Sequence, residues 1–297
     1  EDTQQILGMV MVVVPAWIVH WFYFAKNDGG STMRQIYIFG FVFAGSAVTI
    51  LVSAGIIIFG ILEWAIGLPL DSAADQFRFL PGAIASLIIA GAILGYHNAI
   101  ASLEEESWMP EAWLARGAVL YASAAAGVVL TALAVGALVE TVFEVVEGSG
   151  AFSGGDLWKD RLALTITFSV LGVPLWVYFW NAICRRVLSE GLEERLTGAR
   201  KIFIFGILGA GMLALLGSVS ALVFIFLREL LGGQLSNVIN DARVPIVVIV
   251  PALLVLSYHW FVYREDRKFE PKSEARERPF LRKKAVTVLV TGGSADF

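Results

Sequence analysis

The chain has 297 residues, 57% hydrophobic and only 16% charged, with nine Trp and a net charge of −4. A soluble domain carries roughly a quarter charged residues, so this balance and a mean hydropathy of +0.73 point to a polytopic membrane protein. Basic residues confined to helix ends and the tail leave no nucleic-acid footprint, and a lone cysteine, Cys184, excludes an internal disulfide or a cysteine-built metal cluster.

Spanning the hydrocarbon core as a helix takes about 20 apolar residues. Seven stretches reach that length, at 6–25, 35–66, 81–102, 113–146, 162–184, 201–231 and 244–263. They predict an all-α polytopic integral membrane protein with seven transmembrane helices. The second, fourth and sixth run to about 30 residues, longer than a core about 30 Å thick requires at 1.5 Å per residue. The others are shorter, and three carry an internal proline, Pro15, Pro174 or Pro251. Alternate loops collect 17 of the 22 Lys and Arg, from Lys26 and Arg34 to the run over 264–284, against five on the other side. By the positive-inside rule the amino terminus lies outside and residues 264–284 lie in the cytoplasm.

The long stretches align on Arg34, Arg116 and Arg200, spaced 82 and 84 residues apart. Eleven residues after each arginine stands Gly45, Gly127 or Gly211, and a glycine closes each stretch at Gly67, Gly148 or Gly233. RQIYIFG and RKIFIFG are nearly the same word. The short stretches align at one end through VHWFYF, YHNAIA, FWNAIC and YHWFVY, while VPAW (14–17) matches VPLW (173–176) with the register shifted by one residue. The predicted unit is a two-helix hairpin repeated over 34–103, 116–187 and 200–264, with 1–26 a partial unit, all within one transmembrane domain. Gly91/Gly95, Ala132/Gly136 and Gly217/Ala221 are small pairs at the four-residue spacing that suits close helix contact in lipid.

An arginine, an aromatic-aliphatic run and a small-residue helix, repeated in tandem with shorter Trp-bearing helices, resembles an uncharacterised bacterial membrane family of tandem two-helix repeats, a domain of unknown function. The resemblance covers roughly residues 10–297 and implies a fold, with no activity, substrate or catalytic residue to carry over.

Three histidines, His20, His97 and His259, fall at equivalent positions near one end of the short helices. At equal depth, two of them are candidate ligands for haem b or a metal. The plainer alternative is an interfacial belt, in which imidazole and indole put a polar tip at the headgroups; Trp180 in the fourth position favours the belt. Glu140 and Glu144 share a helix face and are candidates for an ion or proton path, or, with Glu63 and Glu229, carboxylates reaching water at the outer interface. Arg34, Arg116 and Arg200, with Trp21, Trp180 and Trp260, read as interfacial anchors. The acidic LEEESWMPEAW segment (103–113) is a candidate partner for Arg185 and Arg186, or a solvated helix start at Pro110.

Phosphate-loop, H-E-x-x-H and G-x-S-x-G patterns are absent, and no catalytic residue is assigned. The leading expectation is therefore a non-enzymatic structural or accessory subunit, in contact with the bilayer and with other membrane subunits or further copies of itself. A transporter or channel is the second, with Asn181, Thr165, Thr167 and Glu140 lining a site between repeats, and a b-haem electron-transfer subunit is the third. The repeat also bears on the tail. Arg282 stands 82 residues after Arg200 and Gly293 eleven further on, so RKKAVTVLVTGGSADF (282–297) is expected to start an eighth helix and a further unit.

Overall fold

A backbone in hydrocarbon must satisfy its own hydrogen bonds, which a helix does within one segment; each of the seven apolar stretches is helical. The computed structural model describes residues 2–25, 28, 31–68, 72–104, 110–148, 157–232 and 238–269. Helix α1, Asp2–Val19, ends in a π-helical turn, His20–Phe24, in which the Ala25 N–H donates to the His20 carbonyl at 2.9 Å. Helix α2 is continuous over Thr32–Ile66, with a π-helical stretch at Ile36–Phe43. It stops at Gly67, whose left-handed φ of 87° lets Leu68 N–H turn back to the Glu63 carbonyl (2.8 Å).

The remaining long helices are α3, Leu80–Glu104; α4, Pro110–Gly148; α5, Leu157–Glu190; α6, Gly198–Gly232; and α7, Arg243–Arg267. Short helices Ala73–Gln76, Leu192–Leu196 and Val238–Asp241 lie in the connections. Among the described residues there is no strand, and seven helices are long and apolar enough to cross a membrane. Pro81 and Pro110 sit in the first turns of α3 and α4, where a missing N–H costs nothing. Pro15, Pro174 and Pro251 lie inside α1, α5 and α7.

The strict alternation of long and short helices does not extend to α5. At 34 residues it matches the long ones, because good helix formers beyond its apolar stretch, such as Leu188 and Glu190, continue the helix past the hydrocarbon. The expected start of an eighth helix at 282–297, and the closing residue Gly233, lie outside the described residues.

Consecutive helices run antiparallel. At one end the start of α2 meets the end of α3 (Arg34 with Glu104) and the start of α6 meets the end of α7 (Arg200 with Asp266). At the other end the start of α7 meets the end of α4, through Arg243 with Glu140 and Glu144. Helix α4 is the hub, packed along α5 and also against α7, α6 and the start of α2. Its crossing with α5 is set by a reciprocal pair of glycines. A Cβ on Gly127 would stand 2.6 Å from the Trp176 Cα, and one on Gly172 2.7 Å from the Leu130 Cβ. A Cβ on Gly211 would meet the Leu256 side chain of α7 at 2.9 Å, whereas Gly45 has open space. Two buried clusters form at the arginine end. One gathers Trp21, Ile38, Phe39 and Ala101; the other gathers Tyr121, Ala124, Trp180, Ile183, Phe203 and Ile204.

Candidate functional site: two aromatic and arginine clasps

The side chains that carry chemistry gather in two places where three helices meet. In the first such place α1 supplies Trp17 and Trp21, α2 supplies Arg34 and Tyr37, and α3 supplies Tyr96, His97 and Glu104. His97 is 3% exposed. Its Nδ1–H donates to the Ile93 carbonyl one turn back (2.9 Å), since a carbonyl can only accept. That tautomer leaves Nε2 as a lone-pair acceptor, and this buried atom has no partner. The rings of Tyr96 (5.0 Å), Trp21 (5.3 Å), Tyr37 (6.1 Å) and Trp17 (6.4 Å) surround the imidazole. Trp21 Nε1–H donates to the Tyr96 hydroxyl (2.9 Å) and Trp17 Nε1–H to the Tyr37 hydroxyl (3.2 Å). Arg34 closes the group at the helix-end side, beside Glu104. Its guanidinium lies 4.2 Å from the Trp21 ring centroid, forks onto Glu104 (3.0 and 2.6 Å) and donates through Nη1 to the Ala25 carbonyl (2.8 Å).

The same contacts recur among α5, α6 and α7. His259, 1% exposed, donates from Nδ1 to the Val255 carbonyl (2.9 Å) and keeps a buried, unpartnered Nε2. Tyr258 (5.2 Å), Phe203 (5.7 Å) and Trp180 (6.0 Å) ring it, and Trp180 Nε1–H donates to the Tyr258 hydroxyl (2.5 Å). Arg200, 5.8 Å from the Trp180 ring, forks onto Asp266 (2.6 and 3.2 Å). Asp266 follows His259 by seven residues, as Glu104 follows His97.

One substitution and one longer helix distinguish the second clasp. Phe203 stands where the first has Tyr37, so Trp176, the counterpart of Trp17, has no hydroxyl to meet and its Nε1 is unpartnered. Helix α5 also continues past Cys184, the counterpart of Ala25, which commits that carbonyl to the helix ladder. Arg200 Nη1 is left buried without an acceptor.

The family described as Domain of unknown function (DUF5671) matches residues 2–92 and 118–254. The chain belongs to DUF5671. Each matched segment ends five residues before a clasp histidine. No curated protein and no solved structure matches this DUF5671 chain.

The structure sorts the residues singled out from the sequence. His97 and His259 occupy matching buried places in separate clasps, whereas His20 faces outward beside Phe24 (6.5 Å). Trp21 is the residue turned inward on α1, and the VPAW–VPLW register, which pairs Trp21 with Trp180, describes the contacts. Trp21 (6%) and Trp180 (7%), expected as interfacial anchors, are buried in the clasps, as is Arg200, and Arg34 is mostly covered there; Trp260 is exposed at 52%. Arg116 falls on α4, with its side chain outside the described residues. Of the acidic segment 103–113, Glu104 pairs with Arg34 (2.6 Å), and residues 105–109 lie outside the described set.

Glu140 and Glu144 both pair with Arg243, the former at 2.8 Å. Glu63 accepts from Gln76 (3.4 Å), and Glu229 accepts from Arg228 (2.7 Å), which also pairs with Asp241. Thr165 and Thr167 spend their hydroxyls on carbonyls one turn back (2.8 Å each), and Asn181 is exposed. Cys184 is a free, half-buried thiol beside the second clasp. Among the described residues no group of three or more His, Cys, Asp or Glu is arranged to hold a metal ion.

Sequence reasoning missed Trp17, Tyr37, Trp176, Glu104 and Asp266. The signal was present as W-x-x-x-W on α1 and α5, R-x-x-aromatic on α2 and α6, and YH followed seven residues on by an acid on α3 and α7. Each pattern spans one or two turns of one helix, and only their meeting across three helices gives them meaning.

Proposed function

We propose that this protein is a non-enzymatic structural or accessory subunit of a larger membrane assembly, built from tandem hairpins and held rigid by its clasps. The observation that carries the reading is where the small residues face. Gly136 packs on Val247 of α7 (3.5 Å), but Gly91 on α3 and Gly206, Gly209 and Gly217 on α6 have nothing within 4 Å of a built Cβ. Between Phe205 and Arg228 no residue of α6 is buried. Open small-residue faces let a second backbone approach closely, which in lipid drives helix association. The carboxylates Glu140, Glu144 and Glu229 are tied into cross-element or neighbouring ion pairs, which supports a scaffold over an ion path. The orientation that goes with it puts the clasps and residues 264–284 on the cytoplasmic side and the amino terminus outside.

A second reading, a b-haem electron-transfer subunit, draws support from His97 and His259. Each has Nδ1–H held by a carbonyl and Nε2 free, the tautomer in which a histidine ligates. One experiment addresses both readings. Purification of the full chain from native membranes in mild detergent is expected to give a complex or oligomer, with no Soret absorption. A monodisperse lone monomer would sink the scaffold, and a Soret band lost on His97→Ala or His259→Ala would install the haem reading.

A further inference from the structure

Beside the second clasp, between the first turns of α6, the last turns of α7 and the short helix Leu192–Leu196, lies a half-open cavity of about 240 Å³. Several water-sized groups fit in it, at about 30 Å³ each. Its lining includes Arg195, Arg200, Lys201 and Arg267 against one carboxylate, Asp266. Asp266 is already shared, accepting from Arg195 (2.7 Å) and from both sides of the Arg200 fork. In the first clasp Arg34 forks onto Glu104; in the second, Arg195 and Arg200 share Asp266, and the neighbouring Lys201 is exposed.

The decisive group is Arg200. It is 4% exposed and lines the cavity; the Tyr121 hydroxyl beside it donates to Glu194 (2.5 Å), and Nη1 has no acceptor at hydrogen-bond geometry, where Arg34 in the first clasp has the Ala25 carbonyl. A buried guanidinium N–H without an acceptor is costly. The chemistry that meets it is an oxyanion able to take several N–H bonds at once, for which phosphate suits arginine. The rest of the lining says how that phosphate is carried. Ile204, Phe205 and Tyr263 share the cavity, and Phe205 (57%) leads onto the exposed apolar face of α6 at Met212 and Leu216. An apolar track rising from a basic pocket at a helix end matches a headgroup with its acyl chains.

We propose that this cavity binds the phosphate of an anionic membrane lipid, with Arg200 and Lys201 as its donors. The test is native mass spectrometry of the full chain in detergent, titrated with phosphatidylglycerol or phosphatidylcholine of matched acyl chains. The chain is expected to retain phosphatidylglycerol over phosphatidylcholine. Lys201→Gln, at an exposed position with no part in the fold, is expected to weaken that retention about fivefold at unchanged thermal stability. Equal retention of the two lipids, or retention indifferent to Lys201→Gln, would overturn the proposal. Release of the bound lipid by millimolar inorganic phosphate would overturn it too, assigning the cavity to free phosphate.

Discussion

Arg34 and Arg200 sit in the first turns of long helices, where a cation meets the unfavourable end of the helix dipole. The sequence admitted two remedies, snorkelling to headgroups or pairing with a neighbour. The geometry shows pairing, Arg34 with Glu104 and Arg200 with Asp266. Removing one partner of a sealed ion pair costs about 3–5 kcal/mol by stranding the other charge, while replacing both by apolar residues is often nearly neutral. Glu104 keeps 19% of its side chain exposed, so Arg34→Met is expected to cost about 2 kcal/mol, below the sealed limit. Arg34→Met with Glu104→Leu should recover most of that loss. Thermal unfolding in detergent checks both, and a single variant as stable as the parent would deny the pair its role. At this scale the histidines were legible as a repeated YH word. The inward turn of Trp21 instead of its neighbour His20 was not, because adjacent residues on a helix differ by about 100° in direction and only the facing helix selects one of them.

Helices were the most legible elements, since any apolar run of about 20 residues has no other way to satisfy its backbone in lipid. Their ends were less so: α5 overran its apolar stretch because polar helix formers extend a helix once it is nucleated. Gly45, Gly127 and Gly211 stand at one repeat offset, yet they differ in the structure. Gly127 and Gly211 are pressed against Trp176 and Leu256, and Gly45 is open. Gly127→Ala is therefore expected to cost about 1–3 kcal/mol, because a backbone neighbour cannot give way. Gly45→Ala should stay within about 0.5 kcal/mol. Side-by-side thermal melts decide; equal effects at the two positions would refute the close crossing of α4 and α5.

For the molecule as a whole, the antiparallel course puts both clasps at one end and the Arg243 pairs with Glu140 and Glu144 at the other. The proposed orientation then has a direct readout. In a Cys184→Ser background, Ala74→Cys, exposed before α3, is expected to react with a membrane-impermeant maleimide on intact cells. Ser189→Cys, exposed at the end of α5, should react only after permeabilisation. The opposite pattern would invert the topology and place the phosphate-lipid cavity in the outer leaflet.

By itself the sequence determined the seven helices, their alternation across the bilayer and the family resemblance. Each follows from local hydropathy and spacing, which a helix in hydrocarbon expresses without help from its neighbours. Only the tertiary structure decided that Trp17 and Trp21, Arg34 and Tyr37, and His97 and Glu104 form one clasp, and that its counterpart around His259 is left open by Phe203 and by the length of α5. Those residues come from three helices separated by whole transmembrane passes. Side-chain partners at that range are chosen by helix rotation and close packing, and neither is written in the periodicity of any single helix.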